Sequence, residues 1–374
     1  MADRPDLLVI GGGITGQCAA LAAAQAGASV ALVDFGRNAG SHANAGSLHV
    51  QMQSRFLRLN PHLADNLESS LPLYLAAVRE WERLEQALGG VELSREGGLM
   101  LAETAAQMAF LEEKAAREAK KGLSVDLLDR AALARIAPYL GEGIVGAEIC
   151  HDEGKLNPLV ANRRMEARLA EAGVAVRRDR ITALEDGPAP AAHGAAPHHA
   201  AQILVAAAWG AGGLAEGLGL TLPTPREPLH MNITEPGHYA IRHLVQHAER
   251  SITLKQFRSG QVVIGGGWPA RAGADDGVPS VLGRSMLGNV ALAARIAPGI
   301  GGLRVLRTWA GYNTPVDGKA TIGPAREGGR IHLALPGDAG YTLGPIVGRT
   351  GAALALGLEP PLDPAPYSAA RWRA

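Results

Sequence analysis

The chain has 374 residues, 47% hydrophobic and 19% charged. That is a globular rather than a disordered composition, and long enough for two domains. Lys+Arg and Asp+Glu balance at 36 each, leaving no electrostatic footprint for nucleic acid and no basic face for a membrane surface. Two cysteines, Cys18 and Cys150, are too few for a disulfide scaffold or a metal cluster of their own, and they suit a reducing, cytoplasmic setting.

The opening "MADRPDLLVIGGG" lacks the basic-then-apolar layout of a secretory leader, so none is expected. Its apolar run, Leu7 to Ile10, reads as a strand covered on both faces. Gly11, Gly13 and Gly16 then supply G-x-G-x-x-G: a tight turn, a close approach to a pyrophosphate, and close helix–strand packing. A helix from Ile14 to Ala26 aims its N-terminal N–H groups at that phosphate and stops at Gly27. The second strand, Ser29 to Val33, ends at Asp34, whose carboxylate accepts from a ribose diol and repels a 2′-phosphate. Cys18, inside the helix, reads as a small buried hydrophobe.

Residues 40–55, "GSHANAGSLHVQMQSR", open as a small-residue loop and continue as an alternation. In an extended chain His49, Gln51, Gln53 and Arg55 share one side, with Leu48, Val50 and Met52 on the other. Helices follow over 70–88, from a capping box at Thr104 and Gln107 to Gly122, and from Asn157 to Gly173. "VAVRRDRITALE" and "AQILVAAA" read as strands around a Pro/Ala/His-rich loop, "DGPAPAAHGAAPHHA". His193, His198 and His199 in that loop have no acidic partner in the sequence nearby and read as solvated, so no metal is expected. "ILVAAAWGAGGLAEGLGL" is interrupted by glycines and Glu216 and is rejected as a membrane span. "HMNITEP", "ITLKQF" and "QVVIGGGWPA" suggest an antiparallel sheet. "RIHLALPGDAGYTLGPIVGRTGAALALG" returns to strand, glycine turn, helix.

Four separated segments, "VIGGGITG…VALVD", "GSHANAGS", "ILVAAAWGAGGLAEGLGLTLP" and "DGKATIGP…LPGDAGYTLGPIVG", carry a resemblance over nearly the whole chain. The chain resembles the D-amino-acid-oxidase-like flavoproteins (glycine and sarcosine oxidases, D-amino-acid dehydrogenases). "ANAGSLHVQMQSRF", "LKQ", "GGGWPA" and "TLGP" look most like the flavin-bearing β subunits of opine and hydroxyproline dehydrogenase complexes and the related hydrogen-cyanide synthase subunit.

The resemblance implies an α/β fold with an α+β substrate domain: a discontinuous Rossmann-like FAD-binding domain of the glutathione-reductase-like kind, and an antiparallel-sheet domain over the flavin. The expected division is 1–88, 145–225 and 306–374 against 89–144 and 226–305. FAD is the implied cofactor, held by Gly11, Gly13, Ile14, Thr15, Gly16 and Asp34, by Ser41, Asn44, Ala45, Gly46 and Ser47, by Ala207, and by Gly337, Gly340, Thr342, Leu343 and Gly344. The implied chemistry is hydride loss from a carbon bearing an amine nitrogen, with no obvious catalytic dyad. His49, Gln51, Gln53, Arg55, Lys255, Tyr312 and Thr342 are the candidate substrate contacts, with Asn313, Tyr341 and Trp268 as further walls. Partner subunits carrying flavin or iron–sulfur centres are implied as well. An oxidase acting alone, a non-catalytic flavin relay and an NAD-linked dehydrogenase are the alternatives.

Two departures stand out. Where many relatives have Gly-Leu-Arg-Pro, with the arginine clamping the substrate carboxylate, this chain has "GYNTP", with Tyr312, Asn313 and Thr314. The usual alanine-glycine pair after the third nucleotide-fold strand reads Ala207-Ala208. His42 sits in the flavin loop, where some relatives attach flavin to a histidine; this position varies in the D-amino-acid dehydrogenases, and covalent attachment is not expected.

Overall fold

The computed structural model describes residues 4–36, 40–274 and 277–373, with the side chain of Arg55 left out. Six strands form the first sheet, in the order Thr321–Pro324, Ile331–Leu335, Gln202–Val205, Leu7–Ile10, Val30–Asp34 and Ala175–Arg178. Every pairing is parallel except that of Thr321–Pro324. Leu7–Ile10 is buried throughout: Leu7 and Val9 pack with residues of helices Ile14–Gln25 and Gly340–Ala355, and Leu8 and Ile10 with Ala192, Ala200 and Leu214 on the other face, which is why all four are apolar.

Helices Ile14–Gln25 and Gly340–Ala355 cross closely over one face. A Cβ on Gly348 would lie 2.1 Å from Thr15 O, and one on Gly16 would lie 1.9 Å from Gly11 O. Bare backbone at these positions lets the two helix starts converge on the glycine turn.

The second sheet has eight strands, in the order Val305–Asn313, Glu227–Pro236, Gln261–Gly265, Thr253–Gln256, Leu244–His247, Gly98–Ala102, Gly146–Cys150 and Val125–Asp129. It is antiparallel apart from one parallel pair, Leu244–His247 with Gly98–Ala102. Leu99, Leu101, Val245, Leu254 and Ile264 make one core on one face, together with Ala293 and Ile296 of helix Gly283–Ile296. Because side chains alternate along a strand, Met100, Gln246, Thr253 and Lys255 face the other way, toward the first sheet.

Several expectations change. Residues 48–55 are not one extended strand: Ser47–Leu48 pairs briefly with Gly154–Lys155, and helix Ser54–Leu59 follows. Val50, Gln51 and Met52 are all buried. The alternation fails because tertiary contacts claim both sides of the segment. The Pro/Ala/His-rich loop folds as a hairpin, Ala191–His193 with Pro197–His199, joined to Ala183–Glu185. Two of its three histidines have acidic partners, His198 with Asp179 at 2.8 Å and His193 with Glu185 at 3.4 Å. Residues 146–150 and 306–313, which fall within the ranges expected for the discontinuous FAD-binding unit, lie in strands Gly146–Cys150 and Val305–Asn313 and hydrogen-bond into the eight-stranded sheet.

Candidate active site

A cavity of about 1210 Å³ lies between the two sheets. That exceeds the roughly 300–1,000 Å³ typical of small-ligand pockets, leaving room for a dinucleotide and a second ligand. One end is the glycine turn, where Gly11, Gly13, Ile14 and Thr15 line the wall. A Cβ on Gly11 would lie 2.4 Å from Ala206 O, and one on Gly12 2.8 Å from Asp34 Cγ, so no side chain blocks the approach. Helix Ile14–Gln25 has no cap from its own N-cap residue, Gly13, and no acidic residue in its first turn; Ser41 Oγ takes Ile14 N, and the positive end otherwise faces the cavity, where an anion would be favoured. Asp34 lines the same end and accepts from Gly12 N and Gly36 N at 2.6 Å each. A helix terminus facing the cavity, an acceptor at the second strand's end and a bare-backbone cradle fit FAD.

Ala207 also lines this end. Ala208 beside it adopts φ +48°, in the left-handed region that favours glycine. Glycine, which the resemblance implies at this position, would adopt that conformation without strain.

The loop that follows runs along the cavity, with Ser41, Asn44, Ala45 and Ser47 in its wall. Four contacts shape it. Ser41 Oγ accepts from Ile14 N at 2.9 Å, and Asn44 Oδ1 accepts from Gly46 N at 2.7 Å. Trp309 Nε1 donates to Ala43 O at 2.8 Å, and Lys255 Nζ donates to Ser47 Oγ at 2.7 Å. The last two bonds come from the eight-stranded sheet, so the loop is pinned from both sides. His42 pairs with Glu166 at 3.3 Å, half-exposed, away from the lining.

The far end is built from His49, Gln53, Lys255, Tyr312, Asn313 and Thr342. Lys255 is 1% exposed, and burial followed by the charge of Lys155 pushes its ammonium down to about 7. Among the described residues its one hydrogen-bond partner is neutral Ser47. Burial, then the Lys255 charge, holds His49 down at about 3, so its ring is neutral. Thr342 Oγ1 accepts from His49 N at 3.2 Å and donates to Ser47 O at 3.4 Å. Gly337 and Gly340 complete the wall at the start of helix Gly340–Ala355.

Other candidates fall elsewhere. Gln51 is buried outside the lining, donating to Glu153 at 2.7 Å and accepting from Lys114 at 3.1 Å. Its assignment as a substrate contact is corrected. The Arg55 side chain lies outside the described residues. Gly16, Gly46, Leu343 and Gly344 pack the frame behind the cavity rather than lining it. A Cβ on Gly46 would sit 2.1 Å from Leu156 O, and one on Gly344 2.7 Å from Ile14 Cγ2. The Tyr312 ring lines the cavity, but its hydroxyl accepts from Gly273 N and donates to Gly277 O. Asn313 Nδ2 donates to Asp338 and Glu227, Tyr341 donates to Asn162, and Trp268 donates to Ser251 O outside the lining. Sequence reasoning missed Arg250 and Glu153. Arg250 lines the cavity, with Nε donating to Glu103 at 2.6 Å; nothing local distinguishes it from any hairpin arginine. Among the described residues, no group of three or more His, Cys, Asp or Glu is placed to hold a metal ion, and no helix is long and apolar enough to cross a membrane.

Known structures share this arrangement end to end. Glycine oxidase from Geobacillus kaustophilus superposes with a TM-score of 0.81 at 20% identity over 98% of both chains. Iminodiacetate oxidase from Chelativorans sp. BNC1 gives 0.79 at 23% identity, covering 97% of this chain and 98% of that one. L-proline dehydrogenase from P. horikoshii gives 0.79 at 19% identity over 98% of both. Comparison with the curated proteins returned no match. The family described as DAO, FAD dependent oxidoreductase, matches residues 6–354, and the chain belongs to that family of FAD-dependent oxidoreductases.

Proposed function

We propose that this flavoprotein oxidises the C–N bond of an amino acid or N-substituted amino acid, with Lys255 holding a substrate carboxylate. One observation carries the reading. Lys255 is a fully buried amine on the cavity face, its ammonium held down to about 7, that no carboxylate among the described residues pairs. A buried charge without a partner costs several kcal/mol, so such a site favours a ligand that brings an anion. It takes the place of the arginine that "GYNTP" lacks.

When bound, FAD supplies the acceptor for the hydride lost from the carbon beside nitrogen. The chain's own residues bind, orient and exclude water. Lys255 draws the carboxylate to the sheet face and opposes a second positive charge beside it, so the amine binds neutral. Neutral His49 adds no charge. Arg250 offers a second anionic subsite: Glu103 holds its Nε, while its terminal nitrogens make no bond among the described residues. Two separated cations suit a dicarboxylate such as an opine. This supports the finer reading of a catalytic β subunit in an opine- or hydroxyproline-dehydrogenase-like complex with redox partner subunits in the cytoplasm. The six-stranded sheet would serve the cofactor and the eight-stranded sheet the substrate.

The test is anaerobic mixing of the FAD-loaded protein with glycine, iminodiacetate or L-proline. Bleaching of the oxidised-flavin band with stoichiometric imine or 2-oxo acid is expected. Failure of these and of an opine panel would end the reading, and purification of the native protein without partner subunits would end the complex.

A further inference from the structure

His49 stands between the cavity and a fully buried ionic cluster, and its two ring nitrogens meet different surroundings. Nδ1 is shut off from solvent, has no hydrogen-bond partner and lies 3.9 Å from Glu153 Oε1. Nε2 is not among the buried unpaired atoms, and His49 lines the cavity, so Nε2 is the nitrogen that opens to it.

Glu153 is built in. Its Oε1 accepts from Val50 N at 2.8 Å and Gln51 N at 3.3 Å, and its Oε2 accepts from Gln51 Nε2 at 2.7 Å and Gln246 Nε2 at 3.0 Å. A Cβ on Gly98 would come within 1.8 Å of Glu153 Oε2, so the bare strand is what admits the carboxylate. Behind it Lys114 pairs with Glu118 at 2.9 Å and Glu148 at 2.8 Å. Burial pushes Glu148 up to about 9 and Glu153 up to about 7. On the cavity side the charged neighbour of His49 is Lys255, and the ring stays neutral.

A neutral imidazole has one N–H and one lone pair, and the partner of one nitrogen decides the role of the other. Each Glu153 oxygen accepts two N–H bonds and so presents itself as an acceptor; a lone pair on Nδ1 would oppose Oε1 across 3.9 Å, whereas a hydrogen there is attracted to it. We propose that Glu153 is a positioning residue: it fixes His49 as the Nδ1–H tautomer, so that the Nε2 lone pair accepts a hydrogen bond from the N–H of an amine substrate. This rests on the amine reading above. No proton or electron is transferred in the contact; it orients the substrate nitrogen. The chemical class follows: primary and secondary amines bind in register, and tertiary amines, having no N–H, do not.

The test starts from the protein labelled with ¹⁵N-histidine, the His49 signals being those absent from H49N. Long-range ¹H–¹⁵N spectra should show the proton on Nδ1, with that preference lost in E153Q. A proton on Nε2 in the wild type overturns the proposal even if E153Q fails to fold. In the FAD-loaded enzyme with glycine, sarcosine or L-proline as probe, H49N should lose roughly 3- to 10-fold in kcat/KM, the effect of one hydrogen bond. H49Q, whose amide oxygen reaches the Nε2 position, should lose less. N,N-dimethylglycine should be equally poor with wild type and H49N. Equal losses in H49N and H49Q overturn the acceptor role. If wild type oxidises none of the N–H probes, the amine contact falls with the proposed function, and the tautomer alone still decides the Glu153–His49 pairing.

Discussion

Lys255 Nζ donates a 2.7 Å hydrogen bond to Ser47 Oγ, joining the cavity face of the eight-stranded sheet to the loop that runs from the glycine turn. The bond places a buried cation where the two sheets meet, and that cation has a measurable cost. Its folded-state value, about 7, lies below the ordinary 10.5. Below pH 7 the ammonium is charged in both states and the folded protein bears the full penalty. Between pH 7 and 10.5 the unfolded chain binds more protons, so this group's contribution to stability rises with pH. The cofactor-free K255M variant should therefore be more stable than wild type in acid, by several kcal/mol at most, with the gap closing as pH rises through that window. Paired chemical denaturation across pH checks this; a pH-independent gap would contradict it.

Ala208 offers a stabilising substitution. Its φ of +48° costs a non-glycine residue about 1–2 kcal/mol, while a glycine there loses roughly 0.5–1 kcal/mol through the freer unfolded chain. Relief of strain wins, and A208G should raise stability by about 0.5–1 kcal/mol. A lowered melting temperature would show that the backbone is not held in this conformation.

Asp34 accepts from two backbone amides and stands where the ribose would bind. D34A should weaken FAD binding by roughly 1–3 kcal/mol, through lost ribose contacts and a loosened turn. Fluorescence titration of apoprotein with FAD measures it, and unchanged affinity would place the adenosine elsewhere.

Trp81 Nε1 donates to Tyr341 O at 3.1 Å and Thr342 O at 3.2 Å, and its ring stacks on Tyr341 at 5.3 Å. Those carbonyls belong to the first turn of helix Gly340–Ala355. W81F keeps most of the packing and removes the donor, so about 1–3 kcal/mol should be lost. Denaturant titration with an unchanged m-value would assign the loss to the folded state.

The cofactor end was legible in the sequence because its requirements are local. A glycine turn, a helix start and an acid at a strand's end all fall within the first 34 residues, and the strand, helix and second strand form where the sequence places them. The substrate end was not. Gln51 and His49 share a side of any extended chain, yet Glu153, a hundred residues away, draws Gln51 into the core and leaves His49 at the cavity. Gly98 is an unremarkable strand glycine until Glu153 is placed against it. Arg250 gains meaning only when the hairpin carries it to the cavity wall. Residues 146–150 and 306–313 fall within the wrong expected range because each strand is placed by a partner 40 or more residues away, Gly98–Ala102 and Glu227–Pro236.

The preference of the FAD-loaded protein for acids over amides tests the role of Lys255 most directly. Anaerobic flavin reduction should be compared for glycine and glycinamide, and for L-proline and L-prolinamide, in wild type and K255M. Lys255 as carboxylate anchor predicts that wild type prefers the acid by about 1.5–3 kcal/mol in kcat/KM, and that K255M loses that preference while still reducing flavin with the amide. An acid preference that survives K255M unchanged would contradict it.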